Sequence, residues 1–551
     1  MSTHTQIGQH EQYRPYCKGG RAPRAWVFVV AVALFAIVAL CAPPTGTARA
    51  AGQSYIVTTL LDNATSATCT SSCTLRQAIN ASNANDPNMG FSNAITFAAG
   101  LTGTITLTPN GVGYGVLILS RSVSITGPVG ASGVTITGNN AMQLFVVNNG
   151  ITATLTDLTI TGGTSTSTGG GALVNKGTLI VTSSVFTSNT TTISGGAIAN
   201  IGTLAITGST FAGNTATSSG GGGALFNSGI VTITGSTFTG NTAPTDTGSG
   251  GAIYNDLSHP LTITNSTFTG NTSNNKGGAI YNLSGATTLT VVGSTFTGNH
   301  AANGGGIHTY GPLRLTLSML ASNTATDATS GPDRFGMVTT DGGGNMIGST
   351  DNATGFTAAN NRLNIAPLLA TPALNTPGTV QTVALLPGSP AINIAPCTYT
   401  DSNSMAQTLT TDARGITRPQ PTGGTCDAGA FESRGFTFSA PTGSGQNTPL
   451  DSAFATALAI TVAPVAAGEP VANGQVTFTI IAGSGGASGT FTNAGCTVTM
   501  GNMVAACAVG VNGTATAPTI TANGTSGTFT VVASTAGSHD PDHVYPDERL
   551  P

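Results

Sequence analysis

Between residues 160 and 320 the only acids are Asp246 and Asp256, the only bases Lys176, Lys276 and Arg314, and the imidazoles are His259, His300 and His308. Cleaving a polysaccharide takes paired carboxylates, or a base beside a bound calcium ion, converging on one face. Asp246 and Asp256 stand on either side of a Gly-Gly-Ala-Ile-Tyr-Asn run at 250–255. They read as solvated acids in turns of neighbouring coils, with a cation site as the alternative. The densest charge group is Asp412, Arg414, Arg418, Asp427 and Glu432. Such a group is either a site or a set of buried ion pairs fixing an irregular segment. The second reading is preferred, because paired charges hold such loops well. No residue is assigned a catalytic, cofactor-binding or metal-binding role.

Thiol chemistry is the other candidate. Cys17 and Cys41 fall in the N-terminal region, and the other cysteines form three local pairs: Cys69 with Cys73, Cys397 with Cys426, and Cys496 with Cys507. An even, locally paired set in an exported chain predicts disulfides. Zinc ligation is the competing reading, but no His clusters near a pair and no paired C-x-x-C motif occurs. Export is read from residues 1–50. Lys18, Arg21 and Arg24 precede an apolar run at 25–42, and Ala48-Arg49-Ala50 offers a cleavage site before Ala51. An uncleaved N-terminal anchor is the alternative, and the only expected contact with a membrane. Charged residues are 7% of the chain and the net charge is −4, which argues against nucleic acid as a partner.

The elements that would position any site come from an internal repeat. Phe186, Phe211, Phe238, Phe268 and Phe296 recur in a Phe-x-x-Asn motif, whose Asn residues are Asn189, Asn214, Asn241, Asn271 and Asn299. A second motif, Gly-Gly-Ala-Leu/Ile-x-Asn, alternates with it at 170–175, 195–200, 222–227, 250–255 and 277–282, with a degraded copy at 304–309. Short alternating runs such as Leu204-Ala205-Ile206 and Val231-Thr232-Ile233 lie between them. Each repeat therefore holds short strands separated by Gly, Ser and Asn turns. It is too small to bury a core alone and must stack on its neighbours. The predicted fold is all-β, a right-handed parallel β-helix of the pectin-lyase-like kind, with a C-terminal Ig-like β-sandwich.

The repeated residues then have structural work. The Phe residues stack as an internal column. Ala172, Ala197, Ala224, Ala252 and Ala279 point inward where the section is narrow. The Asn residues of each motif form ladders, including Asn175, Asn200, Asn227, Asn255 and Asn282, since stacked amides bond coil to coil and Asn tolerates turn conformations.

The alternation of Gly-Gly-Ala-Ile with Phe-x-x-Asn resembles the repeat of the chlamydial polymorphic outer-membrane proteins. That resemblance implies a β-helical passenger at a cell surface, with adhesion its commonest role. Those proteins end in a membrane β-barrel; the segment from His539 to Pro551 is short and charged and lacks alternating barrel strands, so none is expected here. Residues 54–80, with Cys73-Thr74-Leu75-Arg76-Gln77-Ala78, resemble the CSLREA-type segment that precedes surface β-helices, with Thr74 and Gln77 in place of Ser and Glu. A strand and a short helix there suit an end cap, and Arg76 reads as a cap ion pair. Gly342 to Gly348, Pro367-Leu368-Leu369, the run from Leu385 to Ile392, Asp412 to Gly415, and Cys426 to Glu432 together resemble a choice-of-anchor Q domain, with Asn393 in place of its usual Asp. The run from Gly468 to Phe478 resembles invasin-type bacterial Ig-like domains.

The predicted organisation is a signal peptide at 1–50, an N-terminal cap at 51–95, repeats at 96–325, last coils and cap at 326–433, an Ig-like domain at 436–535 and a charged tail at 536–551. The predicted function is a non-catalytic secreted or cell-surface protein, bacterial, serving adhesion, ligand binding or a structural layer. Its expected partners are an extracellular glycan or a surface protein of a host or neighbouring cell, with no cofactor. Two alternatives stand: a polysaccharide lyase or glycoside hydrolase on the β-helix, and an ice- or mineral-binding surface built from runs such as Thr232-Ile233-Thr234.

Overall fold

The structure is a computed structural model describing residues 52–550, apart from 64, 86–91, 110–114, 130–132, 218–219, 257–258, 284, 286, 328, 402–404 and 541. Residues 1–50, where the sequence predicts an export signal, lie outside the described residues, as do Cys17 and Cys41.

Every strand pairing from Ser54–Val57 to Arg362–Leu363 is parallel and joins one coil to the next. One face of the resulting parallel β-helix is an eleven-stranded sheet running from Ser54–Val57 to Thr340–Asp341. A second is a ten-stranded sheet from Leu117–Leu119 to Ala353–Thr354. A third face carries two adjacent ladders that share the bent strand Leu158–Ser165, which pairs with both Val185–Thr187 and Thr190–Thr191. Ten steps between eleven strands span roughly 48 Å along the axis.

The interior follows from the period-two pattern of each short strand. Leu204 and Ile206, Val231 and Ile233, and Leu261 and Ile263 all point inward and are buried. Phe186, Phe211, Phe238, Phe268 and Phe296 pair in register, their ring centres 4.6–4.9 Å apart and nearly parallel. Ile160 precedes this column and Leu320 continues it. The Gly-Gly pairs pass where coils touch: a Cβ on Gly196 would lie 1.9 Å from the Gly223 carbonyl oxygen.

Polar ladders close the corners. From Asn214 onward, each Asn of the Phe-x-x-Asn motif accepts from the backbone and the amide of the Asn one coil earlier, and the first, Asn189, accepts from Gly163 N. Asn214 Nδ2 and N, for example, donate to Asn241 Oδ1 at 2.9 and 3.0 Å. Asn175, Asn200, Asn227, Asn255 and Asn282 form a second ladder at 2.7–2.8 Å. A third, absent from the sequence reading, runs through Ser184, Ser209, Ser236, Ser266, Ser294 and Ser318, where each hydroxyl accepts the backbone N–H of the preceding serine.

The helix Leu75–Ala84 covers the first edge. Thr74 and Gln77 form a capping box. Leu75, Ala78 and Ile79 are buried, and Asn83 bonds the backbone of Ile118 and Ser120 at the start of the ten-stranded sheet. Arg76 makes a bidentate ion pair with Asp62 at 2.7 and 2.9 Å. At the far end Asp341 accepts from Gly343 N, Asn345 Nδ2, Thr357 N, Ala358 N and Asn361 Nδ2.

Coils end at Arg362–Leu363, so the segment read as last coils and cap at 326–433 is a coil only in its first part. Its remainder has isolated antiparallel bridges, Leu369↔Leu385 and Ala395↔Cys426, and lies along the flank of the β-helix. Thr237 Oγ1 donates to the Gln381 carbonyl, Asn265 Nδ2 to that of Thr411, and Ala430 N to Thr295 Oγ1. Beyond it, a three-stranded and a five-stranded antiparallel sheet enclose an apolar core that includes Ile460, Phe478, Phe491, Phe529 and Tyr545. The charged tail at 536–551 is in fact completed into this fold by a strand, His543–Leu550, paired with Gly527–Ser534. Its Glu548 is buried and accepts the N–H groups of Gly445 and Gln446, which offsets the cost of burying the charge.

Candidate binding face

The three-residue strands of the ten-stranded sheet read inside, outside, inside. In Leu225–Asn227, Ile253–Asn255, Ile280–Asn282 and Ile307–Thr309 the first residue enters the core and the third joins the corner ladder. The middle residue points away from the core, and register aligns Val174, Ala199, Phe226, Tyr254, Tyr281, His308 and Phe335 in one row, in which Phe226, Tyr254 and Phe335 are half-buried and the others buried. From Phe226 onward this row is aromatic.

Its rings touch. Centres are 5.4 Å apart from Phe226 to Tyr254, 5.1 Å from Tyr254 to Tyr281, 5.6 Å from Tyr281 to His308 and 4.6 Å from His308 to Phe335. Tyr310, 51% exposed, stands edge-on to His308 at 4.8 Å. Lys276 Nζ donates to the Tyr310 hydroxyl at 3.0 Å and lies 5.1 Å from its ring centre.

This face is uncharged along its spine. Burial, then the charge of Lys276, lowers His308 to about 4; the nearby Asn303 backbone opposes the shift, yet neither ring nitrogen has a hydrogen-bond partner. Burial raises Tyr281 to about 12, reinforced by Tyr254 and Tyr310. Tyr254 is raised by burial and then by Asp256.

The other ionisable residues are dispersed or buried. Asp246 and Asp256 flank opposite ends of Ile253–Asn255. His300 Nδ1 meets Thr324 Oγ1 at 2.8 Å on another face, and Arg314 sits outward on the eleven-stranded sheet in line with Thr290. Asp412, Arg414, Arg418, Asp427 and Glu432 come together, all buried. Arg414 pairs with Asp412 at 2.7 Å and Arg418 with Glu432 at 2.8 Å, while Arg414 stacks 3.5 Å above the Phe431 ring. Burial raises Asp427 well above the usual carboxylate range, helped by Glu432. These groups spend their hydrogen bonds on one another and on backbone, out of reach of a polymer.

The cysteines at 69 and 73, 397 and 426, and 496 and 507 are joined as three disulfides. Among the described residues no three His, Cys, Asp or Glu side chains gather to hold a metal ion, and no helix is long and apolar enough to cross a membrane. The sequence reading missed the outward aromatic row. Its signal lay in the variable position of Gly-Gly-Ala-Leu/Ile-x-Asn, which reads Val, Ala, Phe, Tyr, Tyr along the chain.

Comparison with known families finds the Chlamydia polymorphic membrane protein repeat at residues 235–256, 265–283 and 293–310. The matched segments hold Tyr254, Tyr281, His308 and Tyr310. No curated protein and no solved structure gives a match.

Proposed function

We propose that this chain is a non-catalytic, adhesin-like protein of a bacterial cell surface, whose β-helix presents a binding face to an extracellular glycan or to a surface protein of another cell. The observation that carries the reading is the coincidence of the matched polymorphic membrane protein repeats with the aromatic row. The burial and mutual pairing of the one dense charge group also supports it, since catalysis on a polysaccharide needs carboxylates that reach the substrate.

In this reading residues 1–50 direct export, the 51–95 region is a CSLREA-type cap, residues 326–433 form a choice-of-anchor Q-like segment after the repeats, and the C-terminal sheets are an Ig-like module of the invasin type. The test is adhesion of the purified 51–551 chain to bacterial and host cells. It is run beside a depolymerisation assay on acidic and neutral polysaccharides, with and without calcium. Saturable cell binding without product formation supports the reading. New reducing ends or unsaturated products, lost on changing Asp246 and Asp256, would make the protein a glycan-active enzyme instead.

A further inference from the structure

We infer that the outward face of the eleven-stranded sheet, from Thr152–Thr156 to Leu261–Thr264, is an ice-binding surface, whose ligand is the lattice of crystalline water rather than a soluble molecule. The inference goes beyond the adhesive reading and uses a different side of the solenoid.

Four observations converge on it. The first is a row. Register places Thr126, Thr156, Thr182, Thr207, Thr234 and Thr264 one above another. All six point away from the core, and each is half-exposed or exposed. In the same strands a buried position changes between Ala153, Leu179, Leu204, Val231 and Leu261. Strand preference alone would admit Val or Ile at the outward position as readily as Thr. A surface row more constant than the core beneath it is set by what it presents.

The second is a grid. The strands Thr152–Thr156, Thr178–Thr182, Thr203–Thr207, Ile230–Thr234 and Leu261–Thr264 hold fourteen outward positions. Eleven of these are Thr, and the exceptions are Ile180, Ala205 and Ile230. The rise from coil to coil is 4.8–4.9 Å, read from the stacked Phe rings of the same coils. Alternate residues along a strand are about 6.7 Å apart. These two spacings are close to the two repeats of the prism face of hexagonal ice. A Thr hydroxyl, with one donor and two acceptor positions, can stand in for a water of the tetrahedral network. The third face of the solenoid offers no such plane, because its chain bends at Gly213, Gly240 and Gly270, each at positive φ.

The third is rigidity. The hydroxyls of Ser184, Ser209, Ser236 and Ser266 donate to the carbonyls of Thr182, Thr207, Thr234 and Thr264, each at 2.9 Å. The serine ladder thus pins the backbone of the Thr row from within. Thr itself is branched at Cβ and stiff at χ1. The surface is ordered before the ligand arrives and costs less to order on binding.

The fourth is charge and extent. From Ala94 and Thr96 to Thr262 and Thr264 the two longest outward rows carry no charge. Asp157 and Lys176 stand at the corners, outside the grid. An ionised side chain keeps a strongly held hydration shell that a growing lattice has to exclude, so a neutral face suits ice. Beyond Thr264 the row passes to Val292, which is buried with residues of the flank segment. The neighbouring row passes to the buried Thr290 and then to Arg314. The neutral plane therefore ends where the flank begins.

The test uses the 51–551 chain, fluorescently labelled. Its incorporation into a slowly growing ice hemisphere, its shaping of single ice crystals and its effect on recrystallisation of polycrystalline ice are measured. The wild type should enter the ice, facet the crystals and keep the grains small. Thr207 and Thr232 are exposed grid positions. Thr207→Lys and Thr232→Lys each set a hydrated charge in the plane and should lose most of all three effects. Thr490→Lys, exposed on the C-terminal sheets, should keep them. Far-ultraviolet dichroism and melting temperature check that the variants fold. If either Lys variant does not, Thr207→Tyr breaks the flat row with a residue that strands favour.

Exclusion of the wild-type chain from ice, or wild-type behaviour of the folded grid variants, would overturn the inference. The adhesive reading fails or stands separately. Cell binding without ice binding leaves the adhesin and removes this surface, and ice binding without cell binding does the reverse.

Discussion

His308 and Asp333 occupy neighbouring coils and respond to acid in opposite senses. His308 is held at about 4 against an ordinary 6.5, so the folded state takes up its proton later than the unfolded chain. Its contribution, about 3 kcal/mol, is full above pH 6.5 and is lost as pH falls toward 4. Asp333 closes the Asn ladder, accepting the amide and backbone N–H of Asn323 at 2.9 and 3.0 Å, and burial raises it to about 6 from 3.8. The folded state binds that proton more readily. Asp333 therefore costs nothing below pH 4, and about 3 kcal/mol is lost as pH climbs to 6. The stability difference between His308→Phe and wild type should thus grow in favour of the variant from pH 6.5 down to 4. For Asp333→Asn the difference should shift in the variant's favour from pH 4 up to 6. Urea unfolding at several pH values reads both slopes, and a pH-independent difference would acquit the residue concerned. Packing makes a prediction at this scale too. Phe238→Ala opens a void between Phe211 and Phe268 and should cost about 3–5 kcal/mol. Phe238→Leu should cost less, since Leu320 occupies the same column at its end.

At the scale of elements, the coils owe their order to repeated residues, and these were legible because interior positions recur with every turn. The Phe, Ala and Asn positions are constrained by neighbours above and below, so they vary little along the chain. The outward row escaped notice because only the invariant positions of the motif were read as informative, whereas a face that varies from Val174 to Tyr281 carries its meaning in the variation. The flank beyond Leu363 has no period to read. It is held by single tertiary bonds, such as that from Ala430 N to Thr295 Oγ1, whose partners lie far apart in sequence. His543–Leu550 looked like a solvated tail because its acids suggest water, yet Glu548 finds two backbone donors inside the fold. Asp341 is a similar case: a lone acid in a Gly-rich stretch that gathers five hydrogen bonds across the final turns. Asp341→Ala strands several of those donors, and each buried one costs about 1–3 kcal/mol. The expected outcome is local. Amides at 343–361 should exchange much faster while those of Leu261–Thr264 keep their protection. Uniform loss of protection along the solenoid would contradict a purely terminal clamp.

Among the described residues there are two apolar interiors, one inside the coils and one shared by the flank segment and the C-terminal sheets. The second reaches the first through residues on the outside of the solenoid, Leu317, Met319 and Met346, which are buried only because the flank covers them. Within the second interior, polar contacts tie the flank to the C-terminal sheets: Gln475 N donates to the Pro387 carbonyl at 2.8 Å and Gly388 N to that of Ala536 at 3.1 Å. Glu469 is a further link between them. Buried in a turn between two strands of the C-terminal sheets, it accepts from Arg434 Nε at 2.8 Å, faces Arg414 Nη1 at 3.5 Å and receives the Ser433 hydroxyl at 3.3 Å. It thereby ties the C-terminal sheets to the ion-pair group of the flank. Glu469→Ala would leave Arg414 short of one partner inside the protein, a loss on the order of 3–5 kcal/mol for a buried pair. Because Glu469 joins the C-terminal sheets to the flank, that loss should fall on the hold of those sheets on the flank rather than on the coils. Wild-type chain should melt in one calorimetric transition. The variant should melt in two, with amides of the C-terminal sheets losing protection before those of the coils between Leu173–Asn175 and Met319–Ala321. A single transition at an unchanged midpoint would mean that the apolar core shared by the flank and the C-terminal sheets suffices to hold them together, and that the ion pairs only set their angle.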